Sequence, residues 1–196
     1  MITNLELIKF AKSKIGTPYV YGMKGEVMTS AKYAILKNLY KDLVWDSDIR
    51  KVNKVCVDCS GLISWATHKI RGSSQFKEMA KEVHPISTIS KAPLGVAVWR
   101  QGHIGIYIGN GEYIAADGSA YGVRINKLSK TNFTQSVTTP ECFITNCYNA
   151  IGYCNTIKAC AILKSIFRNC SYRKSVKGFC NRNITAYACV CSSCRI

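Results

Sequence analysis

The sequence predicts an α+β domain in which N-terminal helices pack on an antiparallel β-sheet. Three observations predict it. Apolar residues recur at helical spacing in two early stretches, near residues 3–16 and 59–70. Four short strand-like runs, "GVAVW", "HIGIYIG", "GEYIAA" and "GVRINKL", then follow one another between residues 95 and 128. Helices come first and strands afterwards, unlike the alternation that builds a parallel sheet.

Taken in order, Thr3 and Glu6 form a capping-box pair at a helix start. Leu5, Ile8, Ala11 and Ile15 recur at helical spacing behind it, and Gly16 ends the helix. "GTPYVYG" reads as a turn into a short extended segment. Thr29 or Ser30 caps a second helix through "AKYAILKNLYKDL", with Ala34, Leu36 and Leu43 partly inward. The charged stretch "DSDIRKVNK" reads as a surface loop. A third helix begins at Cys59 or Ser60 and turns Leu62, Ile63, Trp65, Ala66 and Ile70 inward. Among the strands, Asn110-Gly111 suits a two-residue type I′ hairpin, because both central residues there need positive φ.

The chain changes character near residue 140. Its 196 residues suffice for one domain with a core and a small appendix. Of eleven cysteines, only Cys56 and Cys59 precede residue 142. Residues 1–140 carry 19 basic and 10 acidic residues, net +9, and residues 141–196 carry 8 and 1, net +7. The total of +16 favours polyanionic surroundings, whether nucleic acid, anionic membrane or acidic wall polymers. No run of about 18 apolar residues is present, so no membrane span is expected. The N-terminus lacks the build of a signal peptide.

The stretch "VCVDCSGLISWATHKI" carries the chemistry. A helix N-terminus offers partial positive charge and unpaired N–H groups, which favour a thiolate. Cys59 stands at that position and needs a base, usually histidine. The chain has three histidines. His68 follows Cys59 on the same helix, about 13 Å further along its axis at 1.5 Å per residue, too far to deprotonate it. His84 lies in a polar segment with no evident strand or helix to position it. His103 opens the strand "HIGIYIG", and a histidine at a strand start facing a cysteine at a helix start is a nucleophile–base arrangement. Other readings stand beside it. Cys59 could be an inert buried thiol. Cys56-x-x-Cys59 could be a redox pair, although no βαβ unit surrounds it, or half a zinc site lacking its second pair.

"GTPYVYG", "DCSGLISWA", "GHIGIYIGNGEYI" and "GVRI", in that order, resemble the NlpC/P60 family of papain-like cysteine peptidases over residues 4–130. The resemblance implies a papain-like α+β fold and hydrolysis of peptidoglycan stem peptides, typically between D-γ-glutamate and the diamino acid. Cys59 falls on the nucleophile and His103 on the base. Asp58 and Ser60 fall on residues that help hold the free amino end of the stem peptide, and Tyr19 on a tyrosine lining the same pocket. The Cys59 backbone N–H would serve the oxyanion hole. No metal or other cofactor is implied. The implied partners are peptidoglycan stem peptides and, given the charge, anionic wall polymers; no specific nucleic acid is among them.

Three departures from the family pattern stand out. The place of the third catalytic member, usually polar, is Ala115 by alignment on "EYIAADG". Asp117 is the nearest substitute, two residues on and of the same side-chain parity. Gly22 and Asp58 stand 36 positions apart, which makes residues 23–55 an insert of the kind found in phage and prophage endopeptidases. Tyr21 and Met23 replace the usual tryptophan and second glycine. The expected protein is a phage or prophage lysin, made in the cytoplasm without a signal peptide and acting at the cell wall after release. The alternatives are a non-catalytic wall-binding relic, or an amide hydrolase or acyltransferase with another substrate.

Residues 141–196 form a basic, cysteine-rich tail. Residues 142–196 contain no Asp or Glu, where ordinary composition gives about six. A thiolate metal cluster, a disulfide-stapled module and a wall-binding module are all compatible with the composition. The abrupt loss of acidic residues with a burst of cysteine favours an appendix that is not a selected domain, such as a frame-shifted C-terminus.

Overall fold

The structure is a computed structural model that describes residues 2–139 and the backbone of residues 142 and 143. The sequence reading of the cysteine-rich tail otherwise lies outside the described residues. The elements, in order, are β1 (Ile2–Thr3), α1 (Asn4–Ser13), β2 (Lys24–Val27), α2 (Ser30–Tyr40), β3 (Val55–Val57), α3 (Cys59–Thr67), α4 (Ser73–Glu78), β4 (Glu82–Pro85), β5 (Ala97–Arg100), β6 (His103–Gly109), β7 (Glu112–Ala116), β8 (Val123–Lys127), β9 (Gln135–Thr138) and β10 (Cys142–Phe143). Met1–Phe143 form one compact unit. It extends three residues beyond the boundary expected at 140, because β10 pairs in parallel with β1.

The α+β class is the one observed. Strands β4-β9-β5-β6-β7-β8 form a six-stranded antiparallel sheet. The four strands of the meander are those expected, and Asn110 (φ 52°) with Gly111 (φ 71°) makes the β6–β7 turn. Two strands were not legible. All of "EVHP" in β4 is exposed, and "QSVT" in β9 holds one aliphatic residue, so neither shows apolar alternation. Strand β9 lies between β4 and β5, and tertiary burial rather than local pattern makes it a strand.

Helices α1 and α3 bury Leu7, Ile8, Ala11, Leu62, Ile63 and Ala66 against Ile104, Ile106 and Ile114 of the sheet. Each fully buried aliphatic side chain contributes about 1.5–3 kcal/mol. Thr3 caps α1 through the expected box with Glu6. The buried stripe runs through Asn4, Leu7, Ile8 and Ala11, whereas Leu5 and Ile15 are exposed. Helix α3 ends at Thr67 because His68 adopts a left-handed conformation, φ 56°. Ile70 thus lies beyond the helix and is 81% exposed, not inward.

The insert forms its own small core. Thr29 caps α2, accepting from the Lys32 N–H at 3.0 Å. Leu36 packs with Val20, Met23, Met28, Val44 and Cys56, while Ala34 and Leu43 face solvent. Cys56 is a free, buried thiol in β3. The stretch read as a surface loop includes a 3₁₀ turn, Asp46–Lys51, with a fully buried carboxylate at Asp48. Lys51 Nζ donates to Asp48 Oδ1 (2.6 Å) and to the carbonyls of Tyr19 (2.7 Å) and Ser119 (2.8 Å). Ser119 Oγ donates to Asp48 Oδ2 at 3.0 Å. This clasp ties the insert to the loops at Tyr19 and Ser119. Charge patterning alone hid it, because a charged stretch is usually solvated.

Lys51→Met is expected to destabilise the domain by about 3–5 kcal/mol, since it strands a buried carboxylate. Denaturant unfolding checks this, and a midpoint unchanged from wild type would show that the clasp is energetically idle.

Candidate active site

Helix α3 begins at Cys59 because Asp58 caps it: Asp58 has extended backbone, and its Oδ1 accepts from the Gly61 N–H at 2.5 Å. The segment "GMK" wraps the same turn. The Gly22 N–H donates to Asp58 Oδ2 (3.0 Å), and the Asp58 N–H donates to the Met23 carbonyl (2.8 Å). A side chain at Gly61 would collide with that carbonyl, which gives the last residue of "DCSG" a steric reason. Lys24 Nζ completes the wrapping, donating to Asp58 and to Ser60 Oγ.

The thiol of Cys59 is not the preformed thiolate that a helix start alone suggests. It is 7% exposed. Burial first, and the Asp58 carboxylate second, push its pKa up to about 12. The N–H groups of Ile104 and Ser60 act in the opposite direction, as does the positive charge of Lys24, without overcoming them. The helix N-terminus favours an anion, yet desolvation in a closed site costs more. The N–H of Ile104 lies near enough to act on the sulfur, and Cys59 packs in the same core cluster as Ile104, at the start of β6. Cys59 therefore lies near the end of the sheet at which His103 opens β6.

The β6–β7 register sets the partner of His103. Ile106 pairs with Ile114 and Tyr107 with Tyr113. Continued downward, that register sets Gly105 opposite Ala115 and His103 opposite Asp117. Nε2 of His103 lies 3.2 Å from Asp117 Oδ1. Burial raises the pKa of Asp117, but hydrogen bonds from His103 and Arg124, with the positive charge of Arg124, outweigh it and hold the carboxyl below its usual range. An ionised carboxylate only accepts, so Nε2 carries the proton and Nδ1 of a neutral ring carries the lone pair. Ala115 is fully buried and lies close against Gly105, which leaves no room for an imidazole in that place.

Sequence reasoning missed the residues that hold Asp117. Arg124 Nε donates to Oδ2 at 2.8 Å. The Tyr113 hydroxyl lies 3.3 Å from each oxygen, and Asn126 Nδ2 lies 3.5 Å from Oδ2. Burial and then the Asp117 charge push the Tyr113 phenol up to about 12, so it stays a donor. Phe133 stacks on the His103 ring, centroids 5.6 Å apart and planes 16° from parallel. Strand parity marks Tyr113 and Asp117 as neighbours on one face. The pairings Ala115–Arg124 and Tyr113–Asn126 required the register.

Tyr19, Asp58 and Ser60 also gather near Cys59. Tyr19 is bridged to Val57, directly before Asp58. Burial, followed by the proximity of Cys59 and Asp58, raises its phenol well above the ordinary value. The remaining histidines stand apart. His68 ends α3 in an exposed position. His84 sits on strand β4, not in an unstructured segment, and faces Glu82 at 3.4 Å in an exposed position.

Two outcomes follow for these groups. The ultraviolet thiolate difference between wild type and Cys59→Ala should stay flat through neutral pH and rise only in the alkaline range. A thiolate signal at neutral pH would contradict the burial argument. Asp117→Asn should cost about 1–3 kcal/mol at neutral pH, where hydrogen bonds to a charge are lost. A lowered folded pKa contributes stability above the unfolded carboxyl range and loses it as pH falls through the folded value. The gap between wild type and Asp117→Asn should therefore shrink on acidification, as urea midpoints across pH would read.

Similarity to known proteins fits this geometry. The model of the NlpC/P60 family matches residues 16–141, more than half of the chain. The peptidoglycan hydrolase RipB of Mycobacterium tuberculosis is 27% identical with a TM-score of 0.49, over 69% of this chain and 63% of its own. The chain thus spans less than two thirds of that structure. The P60 domain of an antigen from M. avium subspecies paratuberculosis is 23% identical with a TM-score of 0.50, over 71% of this chain and 96% of its own. A comparison with curated proteins gave no match. The helix-on-sheet architecture, the order of the matching motifs and the extent of the family match agree, and the chain belongs to the NlpC/P60 family.

Proposed function

We propose that this chain is a cysteine peptidase that hydrolyses peptidoglycan stem peptides, at the bond between D-γ-glutamate and the diamino acid, with Cys59 as nucleophile, His103 as base and Asp117 as orienting carboxylate. The carrying observation is the cross-strand pair of His103 Nε2 and Asp117, which frees Nδ1 at the end of the sheet where Cys59 is buried. Family membership supports the substrate class.

Nδ1 of His103 takes the thiol proton as Sγ attacks the amide carbonyl carbon. Because burial keeps the resting thiol protonated, proton removal accompanies attack rather than preceding it. Negative charge develops on the carbonyl oxygen. The first N–H groups of α3 have no partner within the helix, and in this reading that of Cys59 receives the oxyanion. On collapse the C–N bond breaks, and imidazolium gives its proton to the leaving amine. Water then attacks the thioester carbonyl, with His103 again taking a proton. The C–S bond breaks, releasing the carboxylic acid and restoring the thiol. Asp117 holds the ring tautomer throughout and stabilises the imidazolium. Tyr19, Asp58 and Ser60 line the peptide's seat beside Cys59.

Ala115 in the place of the third catalytic member favours the non-catalytic alternative, and the hydrogen bond that His103 donates to Asp117 weakens that argument. The insert supports a phage or prophage origin, with action at the wall after release.

Mass spectrometry of purified muropeptides incubated with the protein tests the reading. Cys59→Ala should abolish cleavage while leaving the circular dichroism spectrum intact. His103→Ala should lose about 10²–10⁴-fold, the usual contribution of general base catalysis, whereas His84→Ala should lose little. Undiminished cleavage by Cys59→Ala would remove the cysteine-peptidase reading, and products of another amide bond would move the protein to the amide-hydrolase alternative.

A further inference from the structure

Lys24 has no part in the mechanism above, yet it is built into the site. Its ammonium donates to Asp58 Oδ1 (2.9 Å), Asp58 Oδ2 (2.8 Å) and Ser60 Oγ (2.7 Å). An ammonium has three N–H bonds, and these oxygens use all three. The Lys24 side chain is 20% exposed and that of Asp58 7%. The carboxylate is filled from its other sides by the N–H groups of Gly22 and Gly61 and by the Ser60 hydroxyl. Directly beside the nucleophile there is a complete cation site whose cation comes from the chain itself. The wrapping of "GMK" around the start of α3 delivers it there, on the strand that pairs Lys24 with Val57.

We propose that Lys24 determines specificity: it fills the ammonium position beside Cys59 from within, so the substrate end seated there is an uncharged, acylated nitrogen rather than a free amine. A second ammonium would meet a like charge in a half-dry site, where such juxtaposition is costly. It would also find the Asp58 and Ser60 oxygens already bonded. An acylated nitrogen brings no charge and demands no carboxylate. The favoured substrate is a stem peptide still joined through an amide at its N-terminal end, not a trimmed peptide with that amine exposed. This inference rests on the hydrolase reading and departs from the role that family resemblance implies for Asp58 and Ser60.

The test compares kcat/KM of the full chain on two stem peptides identical except for N-acetylation, at a pH where the free amine is charged. Wild type should cleave the acetylated peptide about tenfold faster or more, the discrimination expected of a like-charge clash. Lys24→Ala should narrow or reverse that ratio, and Lys24→Gln, which keeps a donor without the charge, should do so if Lys24→Ala does not fold. A purely structural lysine would lower both rates together. A wild-type preference for the free amine, or a ratio unchanged by either variant, overturns the proposal. If wild type cleaves neither peptide, the hydrolase reading fails, and the cation site is decided by melting. Ethylammonium should then raise the midpoint of the folded Lys24 variant above that in potassium at matched ionic strength, and leave wild type unmoved. No ammonium-specific recovery overturns the occupancy.

Discussion

The Asp58 carboxylate is the interaction on which the site depends. It caps α3, anchors the Gly22 N–H, binds Lys24 and accepts from Ser60. One group thereby fixes where the nucleophile helix starts and how the preceding segment passes over it. The same charge has a chemical cost. Together with burial it raises the Cys59 pKa, so the helix that presents the sulfur does not by itself ionise it. Lys24 offsets part of that field.

The second constraint is the register of one hairpin. Asn110 and Gly111 both adopt positive φ, and the turn they make, together with the register shift between Tyr107 and Gly109, sets which residues of β6 and β7 face each other. A one-residue slip would send His103 and Asp117 to opposite faces of the sheet. Around Asp117, Arg124, Tyr113 and Asn126 supply donors from two strands, and Phe133 stacks against the imidazole. These contacts fix the tautomer and the plane of the ring.

The insert is part of this framework. Its buried Asp48–Lys51 pair reaches the carbonyls of Tyr19 and Ser119, one beside the nucleophile helix and one close to Asp117. A segment that looks added in sequence is thus hydrogen-bonded to the loops at Tyr19 and Ser119. Its own small core, with Leu36, Met28 and Val44, lets it fold as a unit.

The sequence by itself determined the class of fold, the helix starts near Thr3, Thr29 and Cys59 and the four-strand meander, and it marked Cys59, His103 and Asp117 as the candidates for chemistry. These features are local: capping boxes, alternation and a two-residue turn act over a few positions, and their patterns survive in one dimension. Tertiary structure decided what required distant residues to meet. Strands β4 and β9 lack alternation and are strands because β9 lies between β4 and β5. Leu5, Ile15 and Ile70 have helical spacing but lie outside the face that the sheet covers. Asp48 and Lys51 looked solvated until residue 119 closed over them. The state of the Cys59 thiol belongs to the same group, because desolvation is a property of the assembled site, and no helix start carries it in advance.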